Sequence, residues 1–303
     1  MGFIGAGSMA EALVAGVLSA GVTFAPSIVV TNRSRQDRLD RMALRWGVRT
    51  TRSKAEVCAS SDVVVLATKP ADIPTALEQL QGLLAPCHLV VSVAAGIPCG
   101  LIERHLGEGI PVIRAMPNTS CHVQESATAI ARGQWATDEH EQVARLVFGA
   151  VGRVVSVPEE WLDAVTGLSG SGPAYVYLLM EALAEAGVEL GLSPEVSRLL
   201  TQQTVLGAAR MVLETGEDPA LLRHKVTSPN GTTMAALKVL EEMGFVSALR
   251  EAVRRATARS REMRSCTVSW SGVSRYSNSS GTGRSLDRTV TVGRPLRRVS
   301  RSS

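Results

Sequence analysis

In the first half of the chain, apolar positions fall in short continuous runs separated by amphipathic stretches. Gly2 to Ile4, Ser27 to Thr31, Asp62 to Ala67, His88 to Ala94, Pro111 to Ala115 and Ala127 to Ala131 read as strands. Ser8 to Ala20, Asp37 to Trp46 and Ile73 to Leu84 read as helices, the first with Leu13, Val14, Val17 and Leu18 on one stripe. Strands that are apolar throughout and alternate with helices predict a parallel sheet covered on both faces. After Pro158 the alternation stops, and Glu159 to Arg264 reads as helix after helix. The breaks fall at Gly167 to Pro173, Gly191 to Pro194, Gly216 to Pro219 and Thr227 to Thr233. Residues 1–157 are therefore expected to form an α/β domain and 158–264 an all-helical one. Residues 265–303 are rich in Ser, Arg, Gly and Thr, lack either period, and are expected to be a disordered tail.

Composition narrows the class. The 303 residues are 45% hydrophobic, 20% charged and only 4% aromatic, which suits an aliphatic globule of two domains. No apolar run reaches the ~18 residues of a membrane span, and Met1 leads directly into strand-like Gly2-Phe3-Ile4, so no leader peptide is expected. The net charge of +4 conceals a division. The segment from Ser265 to Ser303 holds seven Arg and one Asp, which leaves the remainder slightly acidic and without a nucleic-acid footprint. Five cysteines, an odd number with no C-x-x-C spacing, indicate neither a disulfide framework nor a metal site. Reduced thiols and a cytoplasmic location are the expectation.

Gly5-Ala6-Gly7-Ser8-Met9-Ala10 is G-x-G-x-x-A, lying after a strand and opening a helix. In that context Gly5 permits the tight turn, Gly7 lets the backbone approach a pyrophosphate, and Ala10 sits at the helix–strand contact. The helix start offers free amides and a positive dipole end to the diphosphate. The first half thus reads as a Rossmann-type dinucleotide-binding domain. At the end of the second strand an NAD site carries a carboxylate for the ribose. Here Asn32-Arg33-Ser34-Arg35 follow, and no carboxylate comes before Asp37. Guanidinium, hydroxyl and amide donors suit a 2′-phosphate, so NADPH is the expected cofactor, with NADH as the alternative. Ala67-Thr68-Lys69-Pro70, Ala94-Ala95-Gly96 and Met116-Pro117-Asn118, at later strand ends, are expected to line the same crevice.

Two segments of the helical half stand out. Thr166-Gly-Leu-Ser-Gly-Ser-Gly-Pro-Ala-Tyr175 packs three glycines into six residues at a helix start, which implies a close backbone contact. Val226-Thr-Ser-Pro-Asn-Gly-Thr-Thr233 sets hydroxyls and a turn at the N-terminus of an apolar helix. Such an end can cap itself with one Thr, or hold a carboxylate without an arginine.

With these segments the sequence resembles the pyrroline-5-carboxylate reductase family. The resemblance covers Gly2 to Met263 and rests on six ordered motifs: F-I-G-A-G-S-M-A from Phe3, A-T-K-P from Ala67, V-S-V-A-A-G from Val91, R-A-M-P-N-T from Arg114, T-G-L-S-G-S-G-P-A-Y from Thr166 and V-T-S-P-N-G-T-T from Val226. It implies a Rossmann domain, a helical domain that dimerises by interlocking and, in many members, a decamer of five dimers. Ser228, Gly231, Thr232 and Thr233 would hold the substrate carboxylate, and Thr166 would sit beside the ring nitrogen as donor or relay. Gly5, Ala6, Gly7, Ser8, Met9, Asn32, Arg33, Ser34, Ala67, Lys69, Pro70, Ala95, Gly96 and Asn118 would contact the cofactor; no metal is implied. The chain departs from the family in a shorter first strand, in Lys54 where many members carry Asn, and in the tail after Arg264.

Two other readings remain. A 3-hydroxyacid dehydrogenase needs a catalytic Lys on the first long helix of the second domain. The four lysines are Lys54, Lys69, Lys225 and Lys238, none between Gly170 and Leu190. A dinucleotide-binding scaffold without catalysis has no use for a carboxylate pocket at Ser228 to Thr233. Of the five histidines only His224 lies near a motif, and Glu217 is a further candidate beside the substrate amine.

Overall fold

The computed structural model describes the backbone of residues 1–273 and side chains through Ser265. In chain order the strands are β1 (Gly2–Ile4), β2 (Val29–Thr31), β3 (Arg49–Thr51), β4 (Val63–Leu66), β5 (Leu89–Ser92), β6 (Val112–Met116), β7 (Ser126–Arg132) and β8 (Gly152–Ser156). The helices of this half are α1 (Ser8–Ser19), α2 (Gln36–Trp46), α3 (Lys54–Ala59), α4 (Ile73–Glu78), α5 (Cys99–Leu106) and α6 (Asp138–Gly149). They cover one sheet of order β3-β2-β1-β4-β5-β6-β7-β8.

The apolar runs are continuous because both faces of the central strands are buried. Phe3, Val65, Val91 and Ile113 pack under Leu13 and Val17 of α1, Leu39 of α2 and Phe148 of α6. Their neighbours Ile4, Val64, Leu66, Val90 and Val112 pack on the opposite face, under Val57, Ile73, Leu77 and Ile102. This alternation is the period of two of an extended chain, filled on both sides.

The sheet departs from the expected all-parallel arrangement at one joint. β7 runs antiparallel to β6, pairing Ile113 with Arg132 and Met116 with Ala129. The connection from Pro117 to Glu125 is shorter than the ~12 residues of a parallel crossover, so the chain must reverse. The predicted helix over 73–84 ends at Glu78, after a 3₁₀ turn at Pro70–Asp72, and gives way to turns that tuck Leu80 into the core. β3, α3, α5, α6 and β8 had no counterpart among the elements read from sequence.

The helical half comprises α7 (Leu162–Val165), a π-helical turn at Thr166–Gly170, α8 (Gly172–Glu189), α9 (Pro194–Thr215), α10 (Pro219–Lys225), α11 (Thr232–Glu242) and α12 (Phe245–Val273). The glycine-rich segment expected as a break is thus a wide turn inside a nearly continuous helix, closed by Ser171 N–H donating to Thr166 O at 2.8 Å. π-turns of this kind recur at functional sites. The turn needs glycine because α12 crosses it closely: a Cβ on Gly167 would meet Thr257 Oγ1 and lie 2.8 Å from Val253 O.

α12 continues through Val273, past Ser265, where the sequence loses helical period. Extending a helix already nucleated adds one hydrogen bond per residue ordered, which a weak local pattern does not prevent. The expectation for the rest of the tail, 274–303, lies outside the described residues. Large apolar side chains on α8 and α9 are exposed in the single chain, among them Leu178 at 66%, Leu199 at 65% and Leu213 at 65%. Among the described residues, no helix is long and apolar enough to cross a membrane.

Candidate active site

The glycine turn joins β1 to α1 at the carboxyl edge of the sheet. Gly5 has φ +118°, and a Cβ there would stand 2.6 Å from Ala67 O. That turn brings β1 against the end of β4, with Ala67 N–H donating to Ile4 O at 2.9 Å. Gly7 is the N-cap of α1 and offers no side-chain cap, so the amides of Ser8, Met9 and Ala10 have no partner among the described residues. Beyond its chain neighbours, a Cβ on Gly7 would touch only Ala67 O at 3.8 Å and Arg38 Nη1 at 3.9 Å, so the protein around it leaves room.

A cleft of about 380 Å³ opens from this turn. Of the expected cofactor residues, Gly5, Ala6, Gly7, Asn32, Arg33, Ser34, Ala67 and Lys69 line it, together with Thr68, Arg35, Arg38, Lys54, Asp72 and Gln79. Two buried polar atoms of its wall, Thr68 Oγ1 and Arg38 Nε, have no hydrogen-bond partner among the described residues. An uncapped helix start behind a glycine of the cleft wall, with orphaned polar atoms on two other wall residues, fits the diphosphate and ribose of a dinucleotide.

The basic run after β2 is not uniformly available. Asn32 Oδ1 accepts from Ser34 N–H at 3.1 Å and Arg35 N–H at 2.9 Å, folding the loop into an Asx turn. Arg35 is held bidentately by Asp37 at 2.8 and 2.7 Å. The hydrogen bonds from Arg35 bring the Asp37 carboxyl down to about 2. Arg33 reaches Asp72 at 3.3 Å, both exposed. Arg38, which the sequence reading passed over, donates from Nη1 to Ala6 O at 3.2 Å and so braces the glycine turn from behind. Its position two residues into α2 resembled an ordinary exposed helix charge.

The remaining expected residues, Ser8, Met9, Pro70, Ala95, Gly96 and Asn118, do not line this cleft. Ser8 Oγ and His122 Nε2 share a hydrogen bond of 2.6 Å. His122 carried no sequence signal, because it reaches Ser8 only through the reversal after β6. Met9 is half-buried on α1, and Pro70 starts the 3₁₀ turn after Lys69. Asn118 is almost wholly buried and its amide is committed to protein: Nδ2 donates to Ser169 O at 3.0 Å, and Oδ1 accepts from Ser120 N–H at 3.1 Å. Gly96 has φ +73° and backs onto Met263 and Arg264 of α12, with Ala95 half-buried beside it. The strand ends of β5 and β6 are thereby tied to the helical half at two points.

Thr166 stands at the start of the π-turn, half-buried, with Oγ1 donating to Leu162 O at 2.7 Å. Beneath it Asp163, fully buried, accepts from Ser260 Oγ at 2.7 Å and pairs with Arg264 at 3.0 Å, fixing α7 to α12. Ser228, Gly231, Thr232 and Thr233 surround the N-terminus of α11. Gly231 is its N-cap without a side-chain cap, Asn230 turns the chain at φ 59°, and Ser228 O accepts from Gly231 N–H at 3.1 Å. Ser228 and Thr232 are exposed, and none of the four lines the cleft at Gly5. Within one chain, the structure brings eight of the fourteen expected cofactor residues to one cleft and leaves this turn apart. His224 is exposed, and Glu217 is engaged with Lys225 at 2.5 Å. Among the described residues, no cluster of His, Cys, Asp or Glu could hold a metal ion.

A glycine turn at the first strand, a cleft at the carboxyl edge of a parallel-dominated sheet and an appended helical domain define a Rossmann-type dinucleotide-binding protein. The family description "NADP oxidoreductase coenzyme F420-dependent" matches residues 1–96, and "Pyrroline-5-carboxylate reductase dimerisation" matches residues 159–263. The chain is 42% identical to pyrroline-5-carboxylate reductase 1 of Bacillus subtilis over 261 residues, covering 86% of this chain and 88% of that protein. It is 43% identical to pyrroline-5-carboxylate reductase of Arabidopsis thaliana over 263 residues, 87% of this chain and 95% of that one. A pyrroline-5-carboxylate reductase structure from Coxiella burnetii superposes with TM-score 0.81 at 42% identity, over 86% of this chain and 97% of that one. A Plasmodium falciparum pyrroline carboxylate reductase with NADP bound superposes with TM-score 0.79 at 29% identity, over 87% and 97%. The chain belongs to the pyrroline-5-carboxylate reductase family.

Proposed function

We propose that this chain reduces 1-pyrroline-5-carboxylate to L-proline, with NADPH as the preferred reductant and NADH as the alternative. It acts in the cytoplasm as a homodimer joined through the helical half, with five dimers assembling into a decamer. The observation that carries the reading is the joint between the two halves. The π-turn bearing Thr166 is pinned by the Asn118–Ser169 hydrogen bond at the carboxyl edge of β6, along the same sheet edge as the glycine turn. Exposed leucines on α8 and α9 support a dimer, since apolar side chains in that number need a partner surface. Free thiols at Cys58, Cys87, Cys99 and Cys121 suit a reducing compartment.

In a dimer the turn from Ser228 to Thr233 of one copy would meet the cleft of its mate. The open N-terminus of α11, flanked by Ser228, Thr232 and Thr233 hydroxyls, would then hold the substrate carboxylate. A dihydronicotinamide held by the cleft residues would supply the hydride for the imine carbon. The protonated imine accepts it far more readily than the neutral one, and the ring nitrogen ends as a secondary amine. Because Thr166 Oγ1 already donates to Leu162 O, its lone pairs remain to accept the N–H of the iminium and hold the ring in line. Most of the acceleration would come from this orientation rather than from a strong acid.

A Thr166→Ala protein should lose about 10- to 100-fold in kcat, the value of one hydrogen bond to a charged group. Its dissociation constant for NADPH should be unchanged, and Thr166→Ser should keep most of the rate. Unchanged turnover would remove Thr166 from the reaction. The reading as a whole is tested by following NADPH absorbance with pyrroline-5-carboxylate, against NADP with a hydroxyacid. Consumption of NADPH only with the imine is expected; its absence overturns the proposal.

A further inference from the structure

We infer that Lys54, acting across the cleft from Arg33, recognises the 2′-phosphate of the dinucleotide and sets the preference for the phosphorylated cofactor. The inference deepens the dinucleotide reading proposed above and rests on it. The adenosine end of a Rossmann cleft lies beside the carboxyl end of the second strand, away from the diphosphate at the glycine turn. Here that end is walled by Arg33 and Ser34 of the Asx turn after β2, by Lys54 at the start of α3, and by Asp72 and Gln79 around α4.

Charge in this corner is unbalanced. Five cations line the cleft (Arg33, Arg35, Arg38, Lys54 and Lys69) against one carboxylate, Asp72. Arg35 is already neutralised by Asp37, and Arg38 is turned onto the glycine loop. Lys54 differs from the others. It is half-buried, and the partner of Nζ is the neutral amide oxygen of Gln79, at 2.5 Å. It makes no ion pair among the described residues. Loss of water around the ammonium and the positive field of Arg33 both press its pKa down. A partly desolvated ammonium in the field of a guanidinium, itself paired only with a neutral amide, is an unfavourable arrangement that a dianion would relieve. Arg33 is free to join, because its pair with Asp72 is 65% and 42% exposed and such pairs are weak. Arg52 steadies the loop that presents Arg33 by donating to Arg33 O at 3.0 Å.

The test is calorimetric and needs no turnover. Wild-type protein is titrated with adenosine 2′,5′-bisphosphate and with AMP, which differ only in the 2′-phosphate. The wild type should prefer the bisphosphate by about tenfold or more, and Lys54→Met should erase most of that preference while leaving AMP affinity within about twofold. Lys54→Arg should restore it. In steady state, Lys54→Met should raise KM for NADPH more than for NADH, as should Arg33→Ala. A wild type that binds both nucleotides equally overturns the inference. So does a Lys54→Met protein that keeps the preference, or one that loses both ligands in parallel. The reductase reading is judged separately, by imine-dependent oxidation of NADH, in which the 2′-phosphate has no part.

Discussion

Replacing Gly5 with alanine is expected to weaken NADPH binding by about 100-fold or more. At φ +118° an L side chain is strained, at about 1–3 kcal/mol. The new methyl would also stand 2.6 Å from Ala67 O and 2.8 Å from Ala67 C, which are backbone atoms at the end of β4 and cannot swing aside. The turn must move, carrying the amides of Ser8, Met9 and Ala10 away from the diphosphate position. Together these effects exceed about 3 kcal/mol, hence the factor of 100. Gly7→Ala is the informative contrast. Beyond its chain neighbours the added methyl makes only ordinary contacts, with Ala67 O at 3.8 Å and Arg38 Nη1 at 3.9 Å, so thermal stability should hold while affinity falls if the diphosphate approaches this backbone. Titration of both variants with NADPH, beside their melting curves, checks the pair. A Gly5→Ala protein that binds normally would show that the cleft at the glycine turn is not the dinucleotide site.

The second large effect is on stability. Asp163→Ala should cost about 3 kcal/mol, from loss of a buried carboxylate that takes a bond from Ser260 and pairs with Arg264. Arg264 is one-third exposed and can regain water, which places the cost at the low end for a buried pair. A fall in Tm of roughly 5 °C is expected, compared at one protein concentration because an assembling chain melts in a concentration-dependent way. Ser260→Ala, which leaves the ion pair, should cost only about 1 kcal/mol. The damage should also reach the cofactor edge, since Met263 and Arg264 back the Gly96 turn. If Asp163→Ala melts like wild type, the attachment of α7 to α12 depends on packing alone.

The parts of this architecture legible in sequence are those that a local rule controls. Val63–Leu66 and Leu89–Ser92 announce themselves because strands covered on both faces run nearly continuously apolar, broken here only by Ser92. Gly5 and Gly7 announce themselves because a tight turn and a close approach exclude side chains. Other elements escaped for physical reasons. β3 is Arg-Thr-Thr at the sheet edge, with no buried face to pattern it. Half of α6 is polar or charged, and it buries only Ala144, Val147 and Phe148 among its apolar positions. The antiparallel turn into β7 depends on the length of a connection rather than on the composition of the strand.

Residue roles divide in the same way. A basic run after β2 is visible in sequence, but which cation stays available is not. Asp37 removes Arg35 through a bidentate pair, while Lys54, 21 positions after Arg33, stands beside it with only an amide for company. Asn118 looked like a cofactor contact and its side chain is committed to Ser169 and Ser120. His122 reaches Ser8 across 114 positions of sequence.

Sequence alone determined the α/β half with its sheet covered on both faces, the helical half after Pro158 and the glycine turn. Each follows from periodicity or backbone sterics acting within a dozen or so neighbouring residues. The tertiary structure decided the mixed strand direction, the π-turn that seats Thr166, the choice among arginines and the separation of Ser228–Thr233 from the cleft within one chain. Those depend on desolvation, charge pairing and close helix crossing between residues far apart in sequence, and such energies exist only once the chain has folded.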